Sequence, residues 1–261
     1  MKRTPMVPDP NAFPALYHPL LTGSPVFDSS CSADARVYFL ETDGGLYLKT
    51  AAPGVLCREA QLDAYFHSLS LGPEVLDYRT EGRDWLLTRA VPGEDCLHPA
   101  YLADPKRLAE TMARMLLELH SLDHSSCPVR DHTHQRTALA AAHYAAGRYD
   151  TDLFPDNWGY ASAEEAWAVV EANSKYLRSD TLLHGDFCLP NIMLDNWNPS
   201  GFIDLGSAGV GDPHVDLFWG AWTLNFNLKT DAYTARFLDA YGRDKIEPDM
   251  LRTVAALEVF L

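Results

Sequence analysis

The sequence predicts an α+β fold of two lobes: a small N-terminal lobe with an antiparallel β-sheet and one helix, and a larger, mainly helical C-terminal lobe. Short runs rich in β-branched and aromatic residues, separated by turns that contain glycine, follow one another in the first third of the chain. Apolar residues recur at helical spacing in the remainder. Val91-Pro92-Gly93 lies between the two patterns, so the sequence predicts domains at residues 1–91 and 92–261.

In the N-terminal lobe, the proline-rich residues 1–30 predict an extended arm with one short helix. The runs that predict β-strands are 26–27, 36–40, 46–49, 75–78 and 84–88. Asp43-Gly44-Gly45 is typical of a hairpin turn between the second and third runs. Apolar residues at helical spacing predict a helix from Glu59 to Leu69.

In the C-terminal lobe, Pro105 lies near the start of a strongly amphipathic segment and predicts a helix that ends at Ser121. Further helices are expected at 138–149, 163–177, 231–241 and 248–261. Asp216 opens another apolar helix, where we expect a buried acid that bonds the backbone of the His-Gly-Asp segment at 184–186.

Composition limits the class of protein. The chain has 261 residues, of which 36 are acidic and 21 basic, giving a net charge of −15. This balance argues against a nucleic-acid partner, which requires a basic surface, and is compatible with a cationic substrate.

No run is long and apolar enough to span a membrane, and the N-terminus lacks the apolar core of a secretory signal. The five cysteines are scattered and odd in number, which predicts reduced thiols and a cytoplasmic location.

Residues 182–206, LLHGDFCLPNIMLDNWNPSGFIDLG, carry the strongest functional signal. Two apolar runs that flank a turn rich in asparagine and proline predict a β-hairpin. Asp186 and Asn191 precede the hairpin, and Asp204 lies at its far end. Because a hairpin brings its two ends together, we expect these three side chains to converge on one spot.

Two carboxylates and an amide in this arrangement suit phosphoryl transfer. Asn191 and Asp204 offer hard oxygen ligands to Mg²⁺, which keeps water and substrate phosphates as its other ligands. Asp186 is placed to take the proton of a hydroxyl. The order H-G-D-x-x-x-x-N and then I-D-L-G follows the catalytic loop and metal-binding segment of protein kinases, so the sequence predicts a protein-kinase-like fold. The alternative is a polar surface hairpin whose acids occur by chance.

Lys49 ends an apolar strand and Glu59 opens a helix, in the order that kinases use. The ammonium would bind phosphates and the glutamate would hold it in place; the alternative is an ordinary lysine at a strand end. A serine-rich turn that includes Ser32 would cover the phosphates, or is a surface turn. The adenine of ATP is expected against the backbone from Arg89 to Val91.

These motifs resemble the aminoglycoside phosphotransferase family, specifically the 3′-phosphotransferases that include the kanamycin and neomycin kinases. The resemblance extends from about Ala35 to the end of the chain. The segments that carry it are GRDWLL (82–87), VPGED (91–95), LHSLD (119–123) followed by CP (127–128), HGDFCLPNIM (184–193), SGFIDLG (200–206) and LEVFL (257–261).

The resemblance implies transfer of a phosphoryl group from ATP or GTP, with Mg²⁺, to a sugar hydroxyl. By position it assigns the catalytic base to Asp186, the metal ligands to Asn191 and Asp204, the phosphate lysine and its partner to Lys49 and Glu59, and an aromatic residue against adenine to Tyr47.

On the acceptor side, Glu258, the terminal carboxylate of Leu261 and Asp156 are expected to hold substrate ammonium groups. Family members usually carry an acidic pair after the Asp216 helix, but this chain has Leu-Asn-Phe-Asn-Leu, with Phe226 at its centre. This departure favours a less cationic amino sugar that stacks on aromatic rings.

We therefore expect a small-molecule acceptor, an aminoglycoside or amino sugar, whose modification confers antibiotic resistance. The chain is expected to be a monomer or a weak dimer, without nucleic-acid or membrane partners. Two alternatives remain open: a kinase of a choline-, homoserine- or macrolide-type alcohol, and a non-catalytic pseudokinase that binds nucleotide or a partner.

Overall fold

A computed structural model describes residues 3–31, 35–149 and 159–261. The chain divides into two compact units, the first comprising Met1–Leu97 and Pro190–Gly206, the second His98–Leu189 and Ser207–Leu261. The sequence predicted a division after residue 91, with all later residues in one domain. The structural division differs because the 190–206 hairpin groups with the N-terminal sheet. That one unit binds nucleotide and the other the acceptor stays a prediction.

Within the described residues, the strands are β1 (Thr4–Met6), β2 (Val26–Asp28), β3 (Ala35–Leu40), β4 (Leu46–Ala51), β5 (Val75–Glu81), β6 (Arg83–Arg89), β7 (Glu94–Asp95), β8 (Thr181–Leu183), β9 (Ile192–Asp195), β10 (Asn198–Phe202) and β11 (Gly209–Gly211). The α-helices in the same part of the chain are α1 (His18–Gly23), α2 (Cys57–Ser68), α3 (Pro99–Leu102), α4 (Pro105–His120), α5 (His132–Ala145), α6 (Ala163–Asn173), α7 (His214–Leu228), α8 (Thr234–Tyr241) and α9 (Pro248–Glu258).

The first unit is built on an antiparallel sheet, whose described strands follow the order β1-β2-β3-β4-β6-β5. Side chains alternate between its two faces. Leu46 and Leu48 on β4 pack with Trp85 in one cluster, whereas Ala51 packs with Leu86 and helix α2 in another. This alternation puts Lys49 on the face that α2 covers.

The β9–β10 hairpin joins the first unit through β7, which pairs with β9. Gly93, just before β7, adopts a positive φ of +94°, and a Cβ atom there would lie 2.2 Å from the carbonyl oxygen of Leu194. Only glycine permits this close approach. The predicted linker at Val91-Pro92-Gly93 is therefore part of the contact that fixes the hairpin.

The second unit is mainly helical, as predicted. The amphipathic helix α4 buries Leu108, Met112, Leu116 and Leu119. A separate core forms where α9 packs on α6 and α7, with Phe218, Val254 and Phe260 among its buried members. The short strands β8 and β11 pair antiparallel. Strand β8 leads into the His-Gly-Asp segment at 184–186, and β11 leads into helix α7, which carries Asp216.

Several boundaries differ from the sequence expectation. Helix α5 begins at His132 rather than at 138, and α9 ends at Glu258. The proline-rich arm contains the predicted short helix α1, but also strand β1, which pairs with β2. The pattern of β1 is too short to identify without its partner strand.

Among the described helices, none has the length and apolar character needed to cross a membrane. The five cysteines, all within the described residues, are free thiols.

Replacing Gly93 with alanine should strongly destabilise the protein, because the new Cβ meets the backbone of Leu194 at a distance that no side-chain rotation relieves. We expect a loss of about 3 kcal/mol in the free energy of unfolding, measured by urea denaturation. Gly54 is the matched control: its φ is +87° but no atom lies within 4 Å of the position that an added methyl group would take, so Gly54→Ala should lose only about 1–2 kcal/mol. Equal losses would show that backbone strain alone, rather than the contact with β9, sets the requirement at Gly93.

Candidate active site

In the first unit, Lys49 is the centre of a three-residue ion cluster. Its ammonium group donates to both carboxylate oxygens of Glu59 and to Oδ1 of Asp204, each at 2.9 Å. Glu59 lies in the first turn of α2, whose packing on the sheet aims the carboxylate at β4. The Lys49–Glu59 pair expected from the sequence is thus present, and the cluster also includes Asp204. That this cluster binds phosphate stays a prediction.

The cluster fixes the charge of the lysine. Burial by itself would lower the pKa of Lys49, but the charges of Glu59 and Asp204 and their hydrogen bonds outweigh it and raise the pKa. The ammonium is therefore a permanent positive charge, held in place by two separate elements of the fold. Such a charge is suited to an anionic group such as a phosphate.

Asp204 and Asn191 lie at the same end of the β9–β10 hairpin. The backbone N–H of Ile203 donates to the carbonyl oxygen of Asn191 at 3.0 Å, which brings the residue before β9 beside the residue that precedes Asp204. Asp204 adopts a left-handed conformation with φ +59°, and its side chain is 55% exposed. Asp186 belongs to the other compact unit, so the expected convergence of all three side chains stays a prediction.

The donor set fits Mg²⁺ rather than a metal held by protein alone. In the described residues, no group of three or more His, Cys, Asp or Glu side chains is arranged to hold a metal ion. One exposed carboxylate and one amide would supply two hard oxygens, and Mg²⁺ takes its remaining ligands from water and nucleotide phosphates. Asp204 and Asn191 match that requirement in chemical type.

Asp63, which the sequence did not single out, lies one helical turn after Glu59. Its side chain is buried, and Oδ1 has no hydrogen-bond partner within the described structure. Burial, and secondarily the charge of Glu59, raise the pKa of Asp63 well above its ordinary range. Asp63 is therefore a buried acid, one turn from Glu59, whose ionisation burial opposes. Its position at the i+4 spacing from Glu59 was the signal available in the sequence.

The residues expected around a nucleotide base lie in the first unit but already make contacts. The hydroxyl of Tyr47 accepts a hydrogen bond from Arg3, and its ring contacts Phe39. The Arg89 side chain pairs with Glu74, whose carbonyl also accepts the N–H of Arg89. Val91 is buried. Ser32 lies outside the described residues. Base binding by Tyr47, Arg89 and Val91 stays a prediction.

In the second unit, the carboxylate of Asp216 holds the loop that presents Asp186. The backbone N–H groups of His184 and Gly185 donate to its two oxygens at 2.8 and 2.7 Å. This confirms the structural role expected for Asp216. Gly185 has a φ of +82°, and a Cβ there would lie 1.9 Å from the carbonyl oxygen of Ser207, so this turn requires glycine.

His120 completes the Asp216 network. Its Nε2 atom lies 3.2 Å from Oδ2 of Asp216, and its Nδ1 atom lies 2.8 Å from the hydroxyl of Tyr241. Burial opposes the ionisation of Asp216, but the hydrogen bonds from His120 and from the backbone outweigh it and lower the pKa of the carboxyl. Both partners of His120 come from other helices, α7 and α8.

Asp186 has two further neighbours in the same unit, one at its side chain and one at its backbone. Burial and the charge of Asp186 raise the pKa of the Cys188 thiol, which keeps the sulfur protonated. The backbone N–H of Asp186 donates to Nδ1 of His184 at 3.2 Å. The predicted base, Asp186, is thus held by the loop of residues 184–186, and the Asp216 carboxylate fixes that loop.

The residues expected to hold substrate ammonium groups lie in different settings. Glu258 is buried and pairs with Arg136, a residue that the sequence did not identify. Leu261 and Phe226 are exposed. Asp156 lies outside the described residues. Contact of these residues with a substrate stays a prediction. For Glu258, a substrate ammonium group would have to share the carboxylate with Arg136.

Comparison with known proteins places these features in context. The model of the phosphotransferase enzyme family matches residues 30–256. The chain is 45% identical, over 95% of both sequences, to a probable aminoglycoside 3′-phosphotransferase of Lactococcus lactis. It is 35% identical to the streptomycin 3″-kinase of Streptomyces griseus over 68% of each chain.

Solved structures of aminoglycoside phosphotransferases are similar to this chain. A crystal structure of an aminoglycoside 3′-phosphotransferase of type VIII matches with a TM-score of 0.69 and 28% identity, covering 90% of this chain and 91% of that one. An aminoglycoside phosphotransferase of Streptomyces rimosus, in complex with ADP and streptomycin, matches with a TM-score of 0.68 and 25% identity, covering 86% and 88%. These matches confirm the α+β, protein-kinase-like fold class.

Replacing Asp216 with asparagine should loosen the loop before Asp186, because an amide offers one acceptor oxygen to two backbone donors. We expect a loss of about 3 kcal/mol in the free energy of unfolding at pH 7. Asp239, whose exposed carboxylate pairs with Arg243, is the matched control, and Asp239→Asn should change stability by less than about 0.5 kcal/mol.

The Asp216 effect should depend on pH. The folded pKa is lowered, so the stabilisation is complete above the unfolded pKa of about 3.9 and is lost as pH falls through the lower folded value. Urea unfolding at a series of pH values should therefore show the unsubstituted chain and Asp216→Asn converging in free energy of unfolding under acid conditions. A constant difference down to the acid limit would contradict an ionised Asp216.

Proposed function

Since this chain belongs to the aminoglycoside phosphotransferase family, we propose that it transfers the γ-phosphoryl group of ATP to a hydroxyl of an aminoglycoside antibiotic, in the manner of the 3′-phosphotransferases, and so confers resistance by modifying the drug. The observation that supports this most is the Lys49–Glu59–Asp204 ion cluster in a chain 45% identical to a probable aminoglycoside 3′-phosphotransferase. The related phosphotransferase of Streptomyces rimosus forms a complex with ADP and streptomycin.

On the nucleotide side, Lys49 binds and orients the ATP phosphates. Glu59 keeps the ammonium in place, so little side-chain freedom is lost when the nucleotide binds. Asp204 and Asn191 would hold Mg²⁺, which when bound neutralises the charge on the phosphate oxygens. Asp204, which contacts Lys49 here, would then serve as a ligand of the metal, and the ammonium would be available to the phosphates.

On the acceptor side, Asp186 receives the hydrogen bond of the reacting hydroxyl and orients it toward the γ-phosphorus. A bond forms between the hydroxyl oxygen and the phosphorus while the bond from phosphorus to the β,γ-bridging oxygen breaks, and ADP leaves. The hydroxyl proton passes to the Asp186 carboxylate late in the step, since phosphoryl transfer proceeds through a loose transition state. Positioning and charge neutralisation supply most of the rate enhancement.

The direct test is mass spectrometry of kanamycin, neomycin, a panel of neutral sugars, choline, homoserine and a macrolide after incubation with Mg²⁺ and either ATP or GTP. We expect one phosphoryl group on an aminoglycoside and none on the neutral sugars. Phosphorylation confined to choline, homoserine or a macrolide would replace the substrate class, and nucleotide binding without any product would favour a pseudokinase.

Asp186→Asn should abolish turnover, with a fall of about 10³-fold or more in kcat, because the amide cannot accept the proton. Nucleotide affinity should remain within about twofold, since Asp186 is assigned to the acceptor. Asp204→Asn should lose Mg²⁺-dependent nucleotide binding as well. Calorimetric titration with an ATP analogue separates the two cases, and unimpaired phosphorylation by the Asp186 variant would disprove its role as base.

Glu59→Gln should weaken nucleotide binding about tenfold, the size expected for losing one charge-assisted hydrogen bond that positions Lys49. The control is Glu110→Gln, which breaks an exposed pair with Arg236 and should leave nucleotide affinity unchanged. If both variants bind nucleotide as the unsubstituted chain does, the Lys49–Glu59 pair is structural only.

A further inference from the structure

Three aromatic side chains form a row across the sheet of the first unit. Phe27 on β2 pairs directly with Phe39 on β3, and Phe39 pairs with Tyr47 on β4. The ring centroids are 6.1 Å apart in the first pair and 5.1 Å apart in the second. Residues that lie opposite one another on neighbouring strands point to the same face of a sheet. Phe27, Phe39 and Tyr47 therefore share one face, and together they are called the aromatic row.

The aromatic row lies on the same face of the sheet as Lys49. Tyr47 and Lys49 are two positions apart on β4, so their side chains point the same way and are separated by about 7 Å along the strand. Tyr47 also pairs with Thr88, the residue before Arg89, where the backbone is expected to meet the base of the nucleotide. With its phosphates at Lys49 and its base toward Arg89, a nucleotide would lie along the aromatic row.

Arg3 places a guanidinium group on this row. Its Nη2 atom donates to the hydroxyl of Tyr47 at 3.1 Å, and its guanidinium carbon lies 3.6 Å from the centroid of the Phe39 ring. The second distance is that of van der Waals contact, so the guanidinium rests against the face of the ring and gains a cation–π attraction. Arg3 is nevertheless exposed, so the side of the guanidinium that turns away from Phe39 faces solvent.

The position of Arg3 is set by strand pairing. Arg3 immediately precedes β1, and Thr4, the first residue of that strand, pairs with Asp28 on β2, the residue after Phe27. The proline-rich arm thus brings a planar cation to the aromatic row. A guanidinium is weakly hydrated, keeps its charge and stacks on aromatic faces. Protein arginines stack on nucleic-acid bases in the same way, so the exposed side of Arg3 is suited to a purine base.

We propose that Arg3 is a nucleotide-binding residue that forms, together with Tyr47, the surface on which the purine base stacks. This rests on the proposed function and extends its nucleotide site to the N-terminal arm. The hydroxyl of Tyr47 positions the guanidinium, and the Phe39 ring supports it from the side of the sheet. A base on the solvent side then places the cation between two π systems. Arg3 contributes to affinity for the nucleotide and takes no part in the transfer of the phosphoryl group.

The experiment measures three dissociation constants by calorimetry, with Mg²⁺ and without an acceptor: those of a non-hydrolysable ATP analogue, of adenosine and of tripolyphosphate. Adenosine carries the base without phosphates, and tripolyphosphate carries phosphates without the base. Arg3→Ala should weaken binding of the ATP analogue and of adenosine about fivefold, the effect of one exposed cation–π contact, and should leave tripolyphosphate binding unchanged. Arg3→Lys keeps the charge but loses the planar group, so it should also weaken binding of the two ligands that carry a base.

Arg36→Ala is the matched control. Arg36 is an exposed arginine of the same sheet, and it pairs with Asp28 at 3.4 Å. It lies three positions before Phe39 on β3, so its side chain points to the opposite face of the sheet. Its replacement should leave all three dissociation constants unchanged.

Tyr47→Phe tests how Arg3 is positioned, because it keeps the ring and removes the hydroxyl that accepts the hydrogen bond from Arg3. It should weaken binding of the ATP analogue. Since the two residues act together, adding Arg3→Ala to Tyr47→Phe should cost less affinity than Arg3→Ala costs in the unsubstituted chain. Strictly additive losses would contradict positioning of Arg3 by Tyr47.

Three results would overturn the role of Arg3 in binding the base. Tighter binding of the ATP analogue by Arg3→Ala would show that Arg3 occupies the place of the base, and equal weakening of tripolyphosphate would show that it acts on phosphates. Unchanged constants would show that Arg3 only secures the arm. Thermal unfolding of each variant checks that the fold is retained. Because binding is measured without turnover, failure to phosphorylate an aminoglycoside would disprove the proposed reaction alone, and the binding assays would still decide the role of Arg3.

Discussion

The completely buried carboxylate of Asp216 imposes the strictest constraint on the second unit. A charge in that position is stable only where donors surround it. The donors come from the loop before Asp186 and from His120, which is oriented in turn by Tyr241. Burial and the charge of Asp216 raise the pKa of Tyr241 to about 12, so the phenol remains a donor. The same hydrogen bonds thus set the geometry of the loop and compensate the buried charge, and the position of Asp186 follows from them.

In the first unit, the largely buried charge that needs partners is positive, the ammonium of Lys49. The Lys49 ammonium has three hydrogens, and two carboxylates from two different elements accept them. Nearby, Asp63 has no such partner for Oδ1, and burial raises its pKa well above the ordinary range. Burial raises the pKa of Glu59 as well, but there the charge of Lys49 opposes the rise. The two acids lie a single turn apart on one helix and differ in which of them reaches the lysine.

Periodicity in the sequence was sufficient for most of the fold. The strands at 36–40, 46–49 and 84–88 and the helix beginning at Pro105 appear as expected, because their apolar patterns match the faces that they bury. Strand β1 and the start of α5 were missed, since short or weakly patterned segments take their structure from neighbours. The grouping of the 190–206 hairpin with the N-terminal sheet depends on the β7–β9 pairing, which joins residues about a hundred positions apart.

By itself, the sequence determined the fold class, the order of the chemical groups and the pairing of Lys49 with Glu59, because these follow from local pattern and from spacing along one chain. Tertiary structure alone decided the partners of the buried charges. Arg136 meets Glu258 across 122 positions, and His120 meets Tyr241 across 121. Partner choice at such separation depends on how helices pack, and no local pattern encodes it. The partners of these buried charges are therefore a property of packing.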